Sequence, residues 1–180
     1  MHRRPLQNLL LDYKNRHPNE VTTDRFTTFI DAHHDCFERS LAIGHVTASA
    51  WIVDIHLRTA LLIHHKKLGL WLQPGGHCDG DSDVARVAAK EVKEETGLED
   101  YEFFAETIFD LDIHEIPAWE DTPAHDHYDV RFLIYADSRQ TITVSHESHD
   151  ARWFLLSEIA AISSDISVLR LAEKSLAVMP

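Results

Sequence analysis

Apolar residues recur with two different periods along this 180-residue chain, and the change of period divides it. The first stretch has helical spacing. Leu6, Leu9, Leu10 and Tyr13 share one face before Pro18 breaks the pattern, and Phe26, Phe29, Ile30, His33 and Phe37 recur in a second helix that starts near Thr23-Asp24 and runs on to Gly44. From Val46 to Ile55 and from Thr59 to His64 β-branched and apolar residues predominate, which predicts two strands joined tightly through His56-Leu57-Arg58. A short strand at Leu70-Trp71-Leu72 leads into the turn signal Pro74-Gly75-Gly76. The clearest helix is Asp83 to Thr96, capped by Ser82 or Asp83 and ended by Gly97 in the left-handed conformation. Strands are expected at Glu102 to Ile113, Tyr128 to Ala136 and Ala151 to Leu155, with a polar loop from Pro117 to Asp126. After a turn capped at Ser157, a last helix from Asp165 places Ile166, Leu169, Ala172, Leu176 and Met179 on one side. Strands with helices before, between and after them predict an α/β domain whose sheet is covered on both faces.

Composition narrows the function more than the fold. Hydrophobic residues at 44% and charged residues at 26% are ordinary globular usage. Seventeen basic against thirty acidic residues give a net charge of -13, which argues against nucleic acid or an anionic membrane surface as partner, since both call for a basic face. A phosphate-bearing ligand would therefore need a metal cation to mediate. The two cysteines, Cys36 and Cys78, make no disulfide framework, and no run is long and apolar enough for a membrane span. The start, Met1-His2-Arg3-Arg4-Pro5, is not a secretory signal, so a reduced, cytoplasmic setting is expected.

The chemistry concentrates between Gly75 and Leu98. On the helical wheel Val84, Ala85, Ala88, Ala89 and Val92 form an apolar docking stripe. Glu91, Glu94 and Glu95 stand at i, i+3 and i+4, with Cβ atoms about 5–6 Å apart. Glu95 falls within the stripe, Glu91 at its edge and Glu94 further out. Three carboxylates so close repel one another and raise the pKa of at least one, a penalty that a divalent cation reverses. Magnesium favours such hard oxygen ligands, together with water and substrate phosphates, and a Gly-Gly turn lets a carbonyl and a phosphate approach closely.

The segment Gly76 to Leu98 resembles the Nudix box, whose pattern is Gly, five residues, Glu, seven residues, Arg-Glu, an aliphatic residue, any residue, Glu-Glu, any residue, Gly and an aliphatic residue. Gly76, Glu91, Val92, Glu94, Glu95, Gly97 and Leu98 fit in register. Ser82 stands where the box has its first Glu, and Lys90 where it has Arg. Those two family residues commonly brace the loop against the helix, and Asp81 or Asp83 with Lys90 is the candidate replacement here. The resemblance implies an α/β/α sandwich with a mixed sheet over residues 44–180, preceded by an N-terminal helical extension, residues 1–43. It implies a hydrolase that uses Mg2+ or Mn2+ to cleave a pyrophosphate bond in a nucleoside diphosphate linked to another moiety. Glu91, Glu94, Glu95 and the backbone carbonyl of Gly76 would be the metal ligands. Bound ions would acidify a water and neutralise charge on the leaving phosphate oxygen.

The catalytic base is then Glu94 or Glu95, or a carboxylate from a loop outside the box, for which Glu147 is the candidate. Outside the acidic cluster, His127, Asp129 and Arg131 line one strand face and, with His77 in the box loop, are candidate substrate contacts. Arg131 is suited to clamp a phosphate or carboxylate. Alternatively His125 and His127 with His77 hold an extra transition metal. Competing readings are a non-catalytic Nudix-fold domain that binds a nucleotide, and an enzyme like isopentenyl diphosphate isomerase. The latter requires Cys followed by Gly-His, whereas this chain reads Gly76-His77-Cys78. The expected partner is a small-molecule diphosphate, with the chain a monomer or homodimer.

Overall fold

The computed structural model describes residues 2–119 and 122–179. Helices α1 (Arg4–Arg16) and α2 (Val21–Ala32) precede strands β1 (Gly44–Asp54), β2 (Thr59–His65), β3 (Trp71–Leu72) and β4 (Gly75–His77). Helix α3 (Val84–Thr96) follows, then β5 (Tyr101–Phe103), β6 (Asp110–Ile116), β7 (His125–Ala136) and β8 (Ser148–Leu155). A single 3-10 turn leads into α4 (Ile159–Ile162) and α5 (Ile166–Val178). The eight strands form one sheet along the path β3-β2-β1-β7-β5, with β4 on β1, β6 on β7 and β8 on β2. This is the expected α/β architecture with N-terminal helices.

Several details differ from the periodicity, β7 among them, which begins at His125 and not Tyr128. Helix α2 stops at Ala32, not Gly44. Cys36 and Phe37 are buried from a turn, because the Cys36 carbonyl accepts from Val46 N–H at 2.7 Å and the Phe37 carbonyl from Gly80 N–H at 3.0 Å. The stretch expected as one strand from Glu102 to Ile113 is two strands, β5 and β6. Strand β8 begins three residues early, at Ser148. The buried face of α5 is Val168, Leu171, Ala172 and Ser175, while Ile166 is 79% exposed. Ser175 sits inside because its Oγ accepts from the Trp51 indole N–H. Part of the expected polar loop, Glu120 and Asp121, lies outside the described residues, as do Met1 and Pro180.

The chain divides into two compact units. The first is Met1–Ser49, Gly76–Ala88 and Glu106–Phe132; the second is Ala50–Gly75, Ala89–Ala105 and Leu133–Pro180. In the first, Leu6, Leu10 and Tyr13 of α1 and Phe26, Phe29 and Ile30 of α2 are buried. Phe29 stacks on Tyr128 of β7 at 3.8 Å, and Phe26 meets the same ring edge-on at 5.3 Å. In the second, Ala50, Ile52, Leu61, Val92, Leu98 and Ile134 form an apolar cluster flanked by Tyr101, Phe103 and Trp153. Val92 is thus the point at which α3 docks, which fixes the glutamates on either side of it.

Both ends of α3 are built as its sequence suggests. Asp83 caps the start, its Oδ1 accepting from Arg86 N–H at 3.1 Å. Gly97 ends the helix at φ +71, and a Cβ there would lie 2.8 Å from Thr143 Cβ. Gly97→Ala is therefore expected to cost about 1–3 kcal/mol, from left-handed strain and the clash together. A thermal melt checks this, and an unchanged midpoint would contradict it.

Candidate active site

Within the second unit, α3 presents Glu91, Glu94 and Glu95 as the wheel implies. Glu95 is 6% exposed and Glu91 9%, both against the core, whereas the Glu94 side chain is 56% exposed. Glu95 Oε2 accepts from the backbone N–H of Gly75 at 2.9 Å, so the strand carrying the Gly-Gly pair is tied to the helix at its first residue. The Lys90 ammonium lies 3.1 Å from Glu94 and 3.6 Å from Glu91. The acidic ridge therefore already draws a cation.

Burial lifts the Glu95 carboxyl to about 7, with the charges of Glu91, Glu147 and Glu94 adding to the rise and the Gly75 N–H opposing it. Glu91 is raised as well, by burial above all and against the pull of Lys90. Glu147 contributes to both shifts, so its carboxylate acts on the same small region. It sits at the foot of β8, where its carbonyl accepts from Lys66 N–H at 3.0 Å and its N–H donates to Ser145 Oγ at 3.3 Å. Its side chain is exposed.

These shifts have a sign in stability. A carboxyl whose folded pKa is raised supports the fold fully below its ordinary value of 4.5, and that support is lost as pH climbs to about 7. Without metal, the fold is expected to lose on the order of 3 kcal/mol from Glu95 alone between pH 5 and 8. Thermal melts in a chelator across this range check it. Glu95→Gln should flatten the decline, and an equally steep decline in that variant would contradict the assignment.

In the first unit a polar stripe runs over one sheet face. Side chains two apart on a strand share a face, and β1 contributes His45, Thr47 and Ser49. From β7 come His127, Asp129 and Arg131, and the β6 residues opposite them in register are His114, Asp112 and Asp110. Arg131 is 1% exposed. Its Nε donates to Asp129 Oδ2 at 2.8 Å, and its terminal nitrogens lie 3.4 Å from Asp110 and 3.2 Å from Asp112. Asp129, also buried, accepts from Thr47 Oγ1 at 3.1 Å and Ser49 Oγ at 2.8 Å. Arg131 and Asp129, expected as substrate contacts, are engaged by neighbouring side chains of the same face. Three carboxylates and two hydroxyls surround them, with Asp110, Asp129 and Arg131 buried and Asp112 half-buried.

The imidazoles of His45, His77, His125 and His127 gather at the other end of the stripe. Ring centroids are 5.0 Å apart for His45–His77 and for His45–His125, 4.8 Å for His45–His127 and 5.1 Å for His77–His127. Burial pushes His45 down to about 4, the neighbouring His77 and His125 pushing the same way, and burial pushes His127 lower still. The Leu41 backbone acts on His45 in the opposite sense, yet neither His45 nitrogen makes a hydrogen bond of normal geometry, nor does Nε2 of His127. Leaving one buried N–H unpaired costs about 1–3 kcal/mol. Sequence reasoning missed His45, although the alternation His45, Thr47, Ser49 between Val46, Ala48 and Ala50 marks it as part of a polar strand face.

A family model described as NUDIX domain matches residues 44–172. The chain belongs to this family. No curated protein matches it in sequence. Among solved structures, a Nudix hydrolase from Clostridium perfringens is 23% identical with a TM-score of 0.58, covering 76% of this chain and 98% of its own. The Ap4A hydrolase of C. elegans, in a binary complex, is 21% identical with a TM-score of 0.53, over 73% and 95% of the two chains. The dihydroneopterin triphosphate pyrophosphohydrolase of E. coli is 15% identical with a TM-score of 0.58, over 72% and 92%. At these identities the likeness is one of fold, the Nudix hydrolase fold.

Against the Nudix box, the brace keeps the expected Asp81 but takes Arg86 in place of Lys90. Lys90 turns to Glu91 and Glu94, and it is Arg86 that binds Asp81, through Nε at 2.9 Å and a terminal nitrogen at 2.6 Å. Asp81 Oδ1 also accepts from Asp83 N–H at 2.9 Å. The Nudix loop thus holds its own carboxylate to the first turn of α3, one turn before the box arginine position. Among the described residues no helix is long and apolar enough to cross a membrane.

Proposed function

We propose that this Nudix protein is a divalent-metal-dependent hydrolase that cleaves a pyrophosphate bond in a nucleoside diphosphate linked to another moiety. The observation that carries the reading is the trio Glu91, Glu94 and Glu95, two of them buried with raised pKa values and none with enough counter-charge. The donor set fits magnesium or manganese, since it offers only hard oxygens and gathers negative charge that a cation relieves. Glu91, Glu94 and Glu95 would hold the ion or ions. A divalent ion bound there supplies charge neutralisation at the phosphate oxygens and an acidified water.

The chain's own residues do the rest. The Gly75–Glu95 hydrogen bond fixes which Glu95 oxygen is turned away from the backbone. Lys90 bridges Glu91 and Glu94, and would give them up to a bound divalent ion. Glu147 accepts the proton of the attacking water at its carboxylate, from a position where its charge reaches Glu91 and Glu95. Residues 44–180 are the catalytic domain, and residues 1–43 an extension packed on β7 through Phe26 and Phe29. Two buried free thiols, Cys36 and Cys78, suit a cytoplasmic location.

Incubation with magnesium and a panel of nucleoside diphosphate compounds, reading released phosphate or monophosphate, tests the activity. Product from at least one compound is expected. Tight binding of a compound with no product would show a nucleotide-binding domain instead. Glu147→Gln should lower kcat by roughly a hundredfold or more at unchanged Mn2+ affinity. An unaltered kcat would place the base on the helix.

A further inference from the structure

The imidazole cluster of the first unit is not used by the chemistry above, and its composition differs from that of the acidic ridge. One nitrogen from each of His45, His77 and His127 can be chosen so that all three lie within 4.8 Å of one another. We propose that these three residues form a second metal site, selective for a borderline transition ion of the zinc or cobalt class.

Three observations support it. His45 is 2% exposed on β1, a strand buried along its whole length; the Leu41 backbone acts on its ring, yet neither ring nitrogen makes a hydrogen bond of normal geometry, and His127 Nε2 makes none. Buried polar groups ordinarily find partners, and a lone pair left bare among other imidazoles is what a metal would use. Next, the three ligands come from three strands, His45 from β1, His77 from β4 and His127 from β7. They are therefore set by sheet pairing and not by a flexible loop. Finally, the neighbouring histidines are held differently. His125 Nδ1 donates to the Pro123 carbonyl at 2.8 Å, and His114 Nδ1 pairs with Asp112 Oδ2 at 2.9 Å. Neither belongs to the group whose nitrogens lie within 4.8 Å of one another.

The geometry needs little adjustment. Nitrogens around a tetrahedral zinc lie about 3.3 Å apart, given bonds of about 2.0–2.1 Å, so small ring rotations bring the trio onto an ion. His45 forms the floor, and the half-buried His77 and His127 leave a way in. Nitrogen ligands favour zinc, cobalt, nickel or copper over magnesium. Three imidazoles leave a further coordination position for water. This is not the trio that sequence spacing indicates, since His45 takes the place of His125.

The full-length protein, stripped with chelator, given one equivalent of Co2+ or Zn2+ and desalted, provides the test. About one ion per chain should be retained, with visible d–d absorption from cobalt and imidazole scattering in its X-ray absorption spectrum. His45→Ala and His127→Ala should each weaken retention at least about tenfold, while Glu94→Gln leaves it unchanged. The wild-type spectra decide the matter even if a histidine variant folds poorly. No retained ion, an oxygen-only coordination sphere, or loss on Glu94→Gln with the histidine variants unaffected would each overturn the proposal.

Discussion

Glu95→Gln is expected to lower kcat by roughly 10²–10⁴-fold, through a weakened metal site, while leaving the fold intact. The substitution keeps the size of the side chain and an oxygen able to accept from Gly75 N–H. It removes a charge that the site needs only when a cation is present. Metal-free protein should even gain stability above pH 7, because a carboxylate 6% exposed and lifted to about 7 no longer has to ionise there. Loss of turnover together with a higher melting point distinguishes a functional carboxylate from a structural one. A variant that melts lower in chelator, or that keeps wild-type kcat with magnesium, would contradict the role.

Arg131→Met should have the largest effect on stability. Its guanidinium is the shared counter-ion of Asp110, Asp112 and Asp129, and burial, which opposes its charge, is overcome by those three carboxylates. Removing one member of such a buried network costs about 3–5 kcal/mol because the remaining charges are stranded. For a chain of this length that is a fall in Tm on the order of 10 °C. A residue that clamped substrate phosphate would instead raise KM at an unchanged melting point. Denaturation and steady-state kinetics on the same variant separate the two.

The acidic ridge was legible because it depends on one helix. Periodicity places Glu95 inward, Glu91 at the edge and Glu94 outward, and their burial follows that order. Gly97 and Asp83 are equally local signals, and both ends of α3 obey them. What failed depends on partners distant in sequence. The run from His33 to Gly44 has no breaker, yet its backbone is claimed by Val46 and Gly80. The apolar stripe expected from Ile166 to Met179 is turned, because the Trp51 indole draws Ser175 inside. Arg131 with Asp129 reads as a recognition face, and only the register of β6 against β7 brings Asp110 and Asp112 to close it. The histidine cluster lies between these cases. The alternation His127, Asp129, Arg131 is visible in β7, but the pairing of β1 and β4 that adds His45 and His77 is not written in any single stretch of sequence.

Crystals of the protein soaked in Mn2+, with an anomalous difference map recorded at the manganese edge, test the central claim most directly. The account predicts a peak within bonding distance of carboxylate oxygens from Glu91, Glu94 and Glu95, with Lys90 displaced from Glu94. A map with no peak at those carboxylates, and Lys90 still paired to Glu94 at saturating manganese, would contradict it.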